Sequence, residues 1–130
     1  MGLTKAAVYG ICGLVYLAKH QDERLVSLTE VACEAKLPKK FLAKIFQSFV
    51  KCGLVKSYRG VKGGFRLGRL EDKITLREIL ECIQGPIRFL FLEDKAEQSN
   101  ATLYRLKEVC REIEQFCQSK LESMTLVDLI

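Results

Sequence analysis

Ten Lys or Arg residues and no Asp or Glu lie between Lys36 and Leu70. The segment contains the glycine-rich sequence YRGVKGGFR, residues 58–66. Regularly spaced apolar residues accompany these cations, which is typical of a folded surface and not of a disordered basic tail. A folded surface of one charge sign attracts polyanions. The glycines predict a turn that extends toward such a partner.

Two short helices joined by a tight turn are predicted to position the cations. The sequence SLTE, residues 27–30, predicts a reciprocal capping box at the start of a helix over residues 27–36. Pro38 has a fixed φ that suits the first turn of the second helix. We expect that helix to extend to Cys52, with Gly53 as its left-handed end.

The second helix has apolar residues at every third or fourth position, which places Lys39, Lys40 and Lys44 on the opposite face. In a helix-turn-helix protein, the N-terminal residues of the second helix face the base edges of the major groove. Lysine amines contact either guanine edges or phosphates, and the sequence leaves both open. A solvated lysine face is the alternative for any single residue, but ten cations without an acid favour a nucleic-acid partner.

A β-hairpin is predicted next, with residues 54–58 and 65–67 as its strands. Two helices followed by a hairpin predict a winged helix-turn-helix, so the fold class is mainly α with a small β-hairpin wing. Glycines at the hairpin turn permit close approach to DNA, and an arginine there can enter a minor groove. Amides at the two helix starts suit phosphates. The candidate DNA-binding residues are Ser27, Pro38, Lys39, Lys40, Lys44, Arg59, Gly60 and Lys62.

The totals favour one domain with an uneven charge distribution. The chain has 130 residues and a net charge of +5. Residues 1–77 hold fifteen Lys or Arg against six Asp or Glu, while residues 78–130 hold six against ten. A basic binding module joined to a segment with a different role is therefore expected. We divide the chain into a DNA-binding domain (1–86), a sensor or linker loop (87–102) and a dimerisation helix (103–130) that packs with residues 1–20.

Catalysis and membrane insertion are both disfavoured. The only histidine is His20, so no Ser-His-Asp or Cys-His arrangement can be assembled, and no phosphate-binding fingerprint is present. Residues 6–18 have the length of a signal-peptide core, but no small-residue cleavage site follows them. No stretch reaches the ~20 apolar residues that span a bilayer. We expect a cytoplasmic protein without catalytic or metal-binding residues.

A long C-terminal helix is predicted to start near Ala101. Its apolar residues step by three and four, which is close to a heptad repeat and suits pairing with another helix. The candidate interface residues are Leu103, Leu106, Cys110, Ile113, Cys117 and Leu121.

Six cysteines occur singly, without a C-x-x-C pair. Free thiols of this kind are mostly small buried hydrophobic residues, which is the expectation here. Cys110 and Cys117 lie seven positions apart on one helix face, and the favoured interpretation is that both fill the helix seam. The alternative is an intermolecular disulfide or a persulfide switch at these two residues.

The chain resembles the IscR-type (Rrf2) winged-helix transcription regulators over nearly its whole length. The resemblance is carried by SLTEVA at residues 27–32, PKKFLAKIF at residues 38–46, GLVKSYRGVKGGFRL at residues 53–67 and MTLVDLI at residues 124–130. The wing sequence is the specific part of the match.

The resemblance implies a homodimer in which the long helix crosses to the partner and each protomer supplies one DNA-reading unit. It implies double-stranded DNA with a palindromic operator as the partner, and usually repression in a bacterium. Family DNA contacts fall on Ser27, Pro38, Lys40, Ala43, Lys44 and Arg59. Ala43 stands where some members have a glutamate that selects bases, and Lys62 replaces a frequent glycine.

Many members of the family hold an iron–sulfur cluster through three cysteines between the fourth helix and the long one. This chain has no cysteine from Ile83 to Val109. Because such clusters need thiolate ligands, we expect no family-type cluster and no other cofactor. The chain then resembles the cluster-free branch, which responds to thiol chemistry, a small molecule or a partner protein. Phe89, Phe91 and Leu92 make the sensor loop apolar, so the core, the partner protomer or a ligand must cover them.

These observations predict a dimeric, sequence-specific DNA-binding transcription regulator that acts as a repressor. The alternative is a winged-helix adaptor that binds proteins and has no sequence-specific DNA binding. Lys39, Lys40 and Lys44 disfavour the adaptor, for which a weakly charged second helix is expected.

Overall fold

The computed structural model describes residues 2–22, 24–89 and 100–130. Within these residues there are five α-helices and one two-stranded antiparallel hairpin. The elements are α1 Lys5–His20, α2 Leu28–Glu34, α3 Lys39–Lys51, β1 Val55–Tyr58, β2 Gly64–Leu67, a 3-10 helix Glu71–Lys73, α4 Leu76–Gln84, α5 Ala101–Ser123 and a second 3-10 helix Leu126–Leu129. The predicted order of helices and hairpin is confirmed.

The core lies between α1, α3, α4 and the hairpin. Phe46 and Phe49 of α3 are fully buried, together with Leu14 and Leu17 of α1. Gly10 permits α1 to approach this layer, since a β-carbon at that position would lie 2.7 Å from Ile83 Cδ1 and 2.8 Å from the Phe49 ring. Close packing of this kind fixes α3 on the body of the protein.

The chain after α5 returns to the start of α4. The Leu76 amide donates to the Met124 carbonyl (2.9 Å), and the Leu126 amide donates to the Ile74 carbonyl (2.9 Å). Leu126 is fully buried in the core. Thr125 and Asp128 form a reciprocal capping box at the start of the second 3-10 helix. The C-terminal end of α5 is thereby fixed to the part of the protein that contains α3 and the hairpin.

The predicted ends of α2 and α3 and the predicted start of α5 are correct within two residues, whereas α5 ends at Ser123, before the end of the predicted dimerisation helix (103–130). Thr4 caps α1 by accepting a hydrogen bond from the Ala7 amide (3.1 Å). Gly53 and Gly85 follow α3 and α4 with φ angles of 78° and 77°. The predicted domain boundaries stay predictions, and the sensor loop is described only at its two ends, since residues 90–99, with Phe91 and Leu92, lie outside the described residues. No helix in the described ranges is long and apolar enough to cross a membrane.

Candidate nucleic-acid interface

The turn between α2 and α3 directs the start of α3 outward. Lys36 has a φ of 56°, and the Leu37 amide donates to the Ala32 carbonyl (2.8 Å), which closes the turn. Pro38 is the N-cap of α3 and makes no side-chain cap hydrogen bond. The first amides of α3 therefore lack a side-chain acceptor from the cap residue and can receive a phosphate oxygen. The structure places Pro38 one position before the helix, not in its first turn.

One side of α3 is buried and the other is charged. Its buried residues are Leu42, Ile45, Phe46 and Phe49. Lys39, Lys40 and Lys44 are exposed, while Ala43 between them is partly buried. The predicted separation of charged and buried faces is confirmed. Their contacts with DNA stay a prediction.

The wing presents its cations at the tip of a tight turn. Tyr58 pairs with Gly64, which leaves residues 59–63 as the turn. Gly60 has a φ of 117°, and the Gly63 amide donates to the Gly60 carbonyl (2.9 Å). Arg59 and Lys62 are exposed at this tip. A non-glycine residue at position 60 would be strained, so the turn geometry depends on glycine.

The wing is tied to the body of the protein at its base. Val26 and Phe65 form an isolated bridge with two backbone hydrogen bonds of 3.0 and 2.8 Å. The Leu67 amide donates to Gln21 Oε1 (2.7 Å) at the end of α1. The Phe65 ring packs edge-on against Phe46 of α3, with centroids 5.0 Å apart. These contacts fix the position of the wing relative to α3.

The basic face, made of the exposed lysines of α3 and the cations of the wing, is not neutralised within the described residues. Of the ten cations between Lys36 and Leu70, Arg69 pairs with Glu78 at 2.6 Å. The other nine have no acidic partner among residues 2–22, 24–89 and 100–130. Outside the segment, Arg24 and Arg77 are paired with Glu30 and Glu81. Unpaired cations on one face are available for an external polyanion.

Ser27 is held in place by a cluster at the start of α2. Ser27 Oγ accepts a hydrogen bond from the Glu30 amide (3.1 Å). The Arg24 guanidinium donates to both oxygens of Glu30 (2.8 Å each), and the Tyr16 hydroxyl donates to the same carboxylate (2.8 Å). The hydrogen bonds from Arg24, which have the larger effect, and from Tyr16 lower the pKa of Glu30 from 4.5 to about 2. Burial and the Glu30 carboxylate raise the pKa of Tyr16.

The reciprocal capping box predicted at residues 27–30 is wrong in one half. Ser27 caps α2 as expected, but the Glu30 side chain bonds Arg24 and Tyr16 instead of returning to the cap. Hydrogen bonds to a guanidinium are stronger than those to a neutral amide, which explains this preference. Thr75 likewise caps α4, while the Glu78 carboxylate bonds Arg69.

The Glu30 cluster makes part of the stability dependent on pH. The pKa of Glu30 is about 2 in the folded state against an ordinary value of 4.5, so folding favours the ionised carboxylate. The contribution of Glu30 to the free energy of unfolding is complete at pH values above the ordinary pKa. It is lost as the pH falls through the pKa of the folded state. We expect Glu30→Gln to be less stable than wild type near neutral pH, with the difference shrinking as acid is added. Urea unfolding across this range tests it, and an unchanged difference in acid would contradict the assignment.

The long helix α5 carries an exposed apolar stripe. None of its residues is fully buried. Leu106, Val109, Ile113 and Phe116 lie on one face and are exposed, Phe116 by 76%. The predicted interface residues Leu103, Cys110, Cys117 and Leu121 continue this face and are partly buried. Heptad counting missed Val109 and Phe116, although their spacing of seven was visible in the sequence. An exposed stripe of this length marks an interaction surface.

The expectation that the cysteines are mostly free and buried is wrong. Cys52 and Cys82 form a disulfide, and Cys12 and Cys33 are free and exposed. The sequence did not predict this disulfide, because the two residues are 30 positions apart and meet only when α4 packs on α3. Cys110 and Cys117 are free and partly buried, and their proposed redox role stays a prediction.

The thiols of the described residues do not fit a family-type iron–sulfur cluster. Such a cluster needs several thiolates that converge on one point. In the part of the chain that the structure describes, no three His, Cys, Asp or Glu side chains are grouped closely enough to hold a metal ion. Cys110 and Cys117 lie two helical turns apart on α5, about 10 Å along its axis.

A cleft of about 750 Å³ lies between the N-terminus, the end of α4 and the last third of α5. Leu3, Ile87, Phe89, Phe116 and Cys117 are among its lining residues. Phe89, one of the apolar residues predicted in the sensor loop, therefore lines a cleft next to the exposed stripe of α5. Its amide also donates to Glu114 Oε1 of α5 (2.7 Å).

The comparisons with known proteins agree with this architecture. The chain is 32% identical to the HTH-type transcriptional regulator CymR of Bacillus subtilis over 130 residues, which cover 99% of this chain and 89% of the relative. It is 32% identical to a putative HTH-type transcriptional regulator of Aquifex aeolicus over 125 residues, covering 94% of this chain and 86% of the relative.

Two solved structures have the same fold. The structure of CymR, the global cysteine regulator of B. subtilis, superposes with a TM-score of 0.81 at 29% identity and covers 99% of this chain and 95% of that one. IscR of T. potens superposes with a TM-score of 0.71 at 29% identity, covering 99% and 85%. These matches confirm the predicted winged helix-turn-helix fold.

The sequence model of the Rrf2 family, described as iron-dependent transcriptional regulators, matches residues 3–130. This match and the named relatives confirm the predicted transcription regulator, as opposed to an enzyme. The protein therefore belongs to the Rrf2 family of HTH-type, DNA-binding transcription regulators.

Proposed function

We propose that this protein is a homodimeric repressor that binds a palindromic DNA operator in the cytoplasm of a bacterium. The observation that carries the proposal is the basic face formed by α3 and the wing. Nine of the ten cations between Lys36 and Leu70 have no acidic partner within the described residues. Lys39, Lys40 and Lys44 enter the major groove, and Arg59 with Lys62 follows the adjacent backbone or minor groove.

Dimerisation takes place through α5. Its exposed stripe is apolar in a helix that buries no residue completely within one chain, which supports a second copy of α5 as its cover. Two-fold symmetry then presents two copies of the basic face. Half-sites on the operator are expected about one helical turn apart, because both copies must reach the same side of the duplex.

Near Ser27 and Pro38, the backbone amides in the first turns of α2 and α3 contact phosphates. The Ser27 side chain already accepts a hydrogen bond from the Glu30 amide, so Ser27 acts by fixing the start of α2. The cap residue Pro38, in contrast, leaves the first amides of α3 without a side-chain acceptor. Phosphate contacts at these positions fix the orientation of α3 without reading sequence.

The regulatory signal acts near α5, and the protein senses it without a family-type iron–sulfur cluster. No three of the described cysteines converge on one point, which supports regulation by thiol chemistry, a small molecule or a partner protein. The cleft lined by Phe89 and Phe116 supports the small-molecule alternative. Protein purified without oxygen is expected to be colourless, and a visible absorption band would contradict a cluster-free regulator.

The test of the DNA-binding function is a salt titration. Binding to a selected operator duplex is measured by fluorescence anisotropy at rising salt, with a random duplex as the control. Because cations displace counterions from phosphates, log affinity should fall linearly with log salt, with a slope of about −0.9 for each phosphate contact. The operator should exceed the random duplex by roughly 1,000-fold or more. Binding that does not depend on salt, or equal affinity for the operator and the random duplex, would contradict the proposal and favour the protein-binding adaptor.

A further inference from the structure

Two cysteines that are distant in the sequence meet where α3 joins the wing. Cys52 is the C-cap of α3 and precedes Gly53, which turns the chain toward β1. Cys82 lies near the end of α4, 30 positions later. Their Cα atoms are 6.4 Å apart, which is within the range that a disulfide spans, and their sulfurs are bonded.

We propose that Cys52 and Cys82 form a reversible dithiol–disulfide site whose oxidants are low-molecular-weight disulfides. The Cys52 thiolate attacks one sulfur of the small disulfide, which gives a mixed disulfide and releases one thiolate. The Cys82 thiolate then attacks Cys52 Sγ, forms the protein disulfide and releases the second thiolate. The two cysteines lose two electrons and two protons, and the small disulfide gains both and becomes two thiols.

The surroundings give the two cysteines different roles. Cys52 is exposed and can meet a dissolved oxidant. Cys82 is partly buried against the core, and its Sγ lies 3.3 Å from the Ser48 carbonyl oxygen of α3. In the dithiol state the Cys82 thiol can donate to this carbonyl, so its sulfur points toward α3 before oxidation. The second step therefore needs little movement of either helix.

The position of the pair connects oxidation to the basic face. The bond fixes the point where α3 ends and the chain turns into the wing, and its other end is on α4, which contacts α5. A pre-ordered α3–wing junction loses less conformational freedom on binding DNA. This effect rests on the proposed DNA-binding function, and the reversibility rests on a reducing cytoplasm, where disulfides are usually transient. The oxidised protein is expected to bind its operator about threefold more tightly.

The test uses the full chain in glutathione buffers with a rising fraction of the disulfide form. Peptide mass spectrometry should show a crosslink between Cys52 and Cys82 that accumulates in one two-electron transition. Cys12 and Cys33, which are exposed and unpaired, should carry only glutathione adducts. Oxidation should raise the thermal midpoint by roughly 10 °C. Absence of the crosslink at every ratio, or stable glutathione adducts on both Cys52 and Cys82, would overturn the proposal.

Two variants separate this site from general oxidation. Cys52→Ser removes an exposed sulfur, so it should fold normally and lose both the crosslink and the thermal shift. Cys33→Ser is the matched control and should keep both. If the crosslink forms but neither redox state binds the operator, the DNA-binding function fails and the redox site stands. If the crosslink forms and operator affinity is equal in both states, the connection to the basic face is overturned.

Discussion

Replacing Lys39, Lys40 and Lys44 together by glutamine is expected to lower operator affinity by at least about 100-fold. This loss corresponds to about 0.9 kcal/mol for each lysine, which is close to the lower end of the about 1–3 kcal/mol that a specific base contact contributes. The three side chains are exposed on α3 and have no acidic partner in the described residues. Their loss should also flatten the salt dependence. Fluorescence anisotropy at several salt concentrations measures both quantities.

The matched control removes the same charge elsewhere. Lys5, Lys19 and Lys73 are exposed lysines outside α3 and the wing, and their triple replacement by glutamine should change affinity by less than about threefold. Both triple variants should unfold like wild type, because every substituted side chain is exposed. Equal losses in the two variants would show that net charge, and not the α3 surface, determines binding.

The second large effect concerns α5. Phe116→Glu places a charge on the most exposed residue of the apolar stripe, where a paired helix would have to bury it without a partner. We expect this variant to be monomeric by sedimentation and to lose operator affinity by roughly 100-fold or more, because a dimer gains its second half-site at high effective concentration. The fold of the monomer should persist, since Phe116 is 76% exposed within one chain.

Tyr104→Glu provides the control on the same helix. Tyr104 is also an exposed aromatic residue of α5, but it lies on the face opposite the stripe. The variant should stay dimeric and bind the operator normally. A dimeric Phe116→Glu protein, or a monomeric Tyr104→Glu protein, would show that α5 pairs through another face.

Features determined by neighbouring residues were predictable from the sequence. Thr4, Ser27 and Thr75 each cap a helix that begins at the next residue. Gly53 and Gly85 end helices for a local conformational reason. The helical spacing of the apolar residues in α3, with lysines on the other face, was equally visible. The candidate basic face therefore followed from the sequence.

Features determined by packing between distant residues were not predictable. The Cys52–Cys82 bond depends on how α4 lies on α3, and no local spacing encodes that arrangement. Glu30 satisfied the pattern of a capping box, yet its carboxylate meets Arg24 and Tyr16 only after α1 packs beside α2. Strong charge-assisted partners supplied by the tertiary structure replaced the weaker local one.

The most direct test of a dimeric, sequence-reading protein is selection of binding sites from a random pool of duplex DNA. The full chain is incubated with the pool at physiological salt, bound duplexes are amplified, and the cycle is repeated before sequencing. A dimeric, sequence-reading protein is expected to enrich inverted repeats whose half-sites lie about one helical turn apart, and to lose binding when about half a turn is inserted between them. Failure to enrich any sequence, or enrichment of single half-sites that tolerate the insertion, would contradict it.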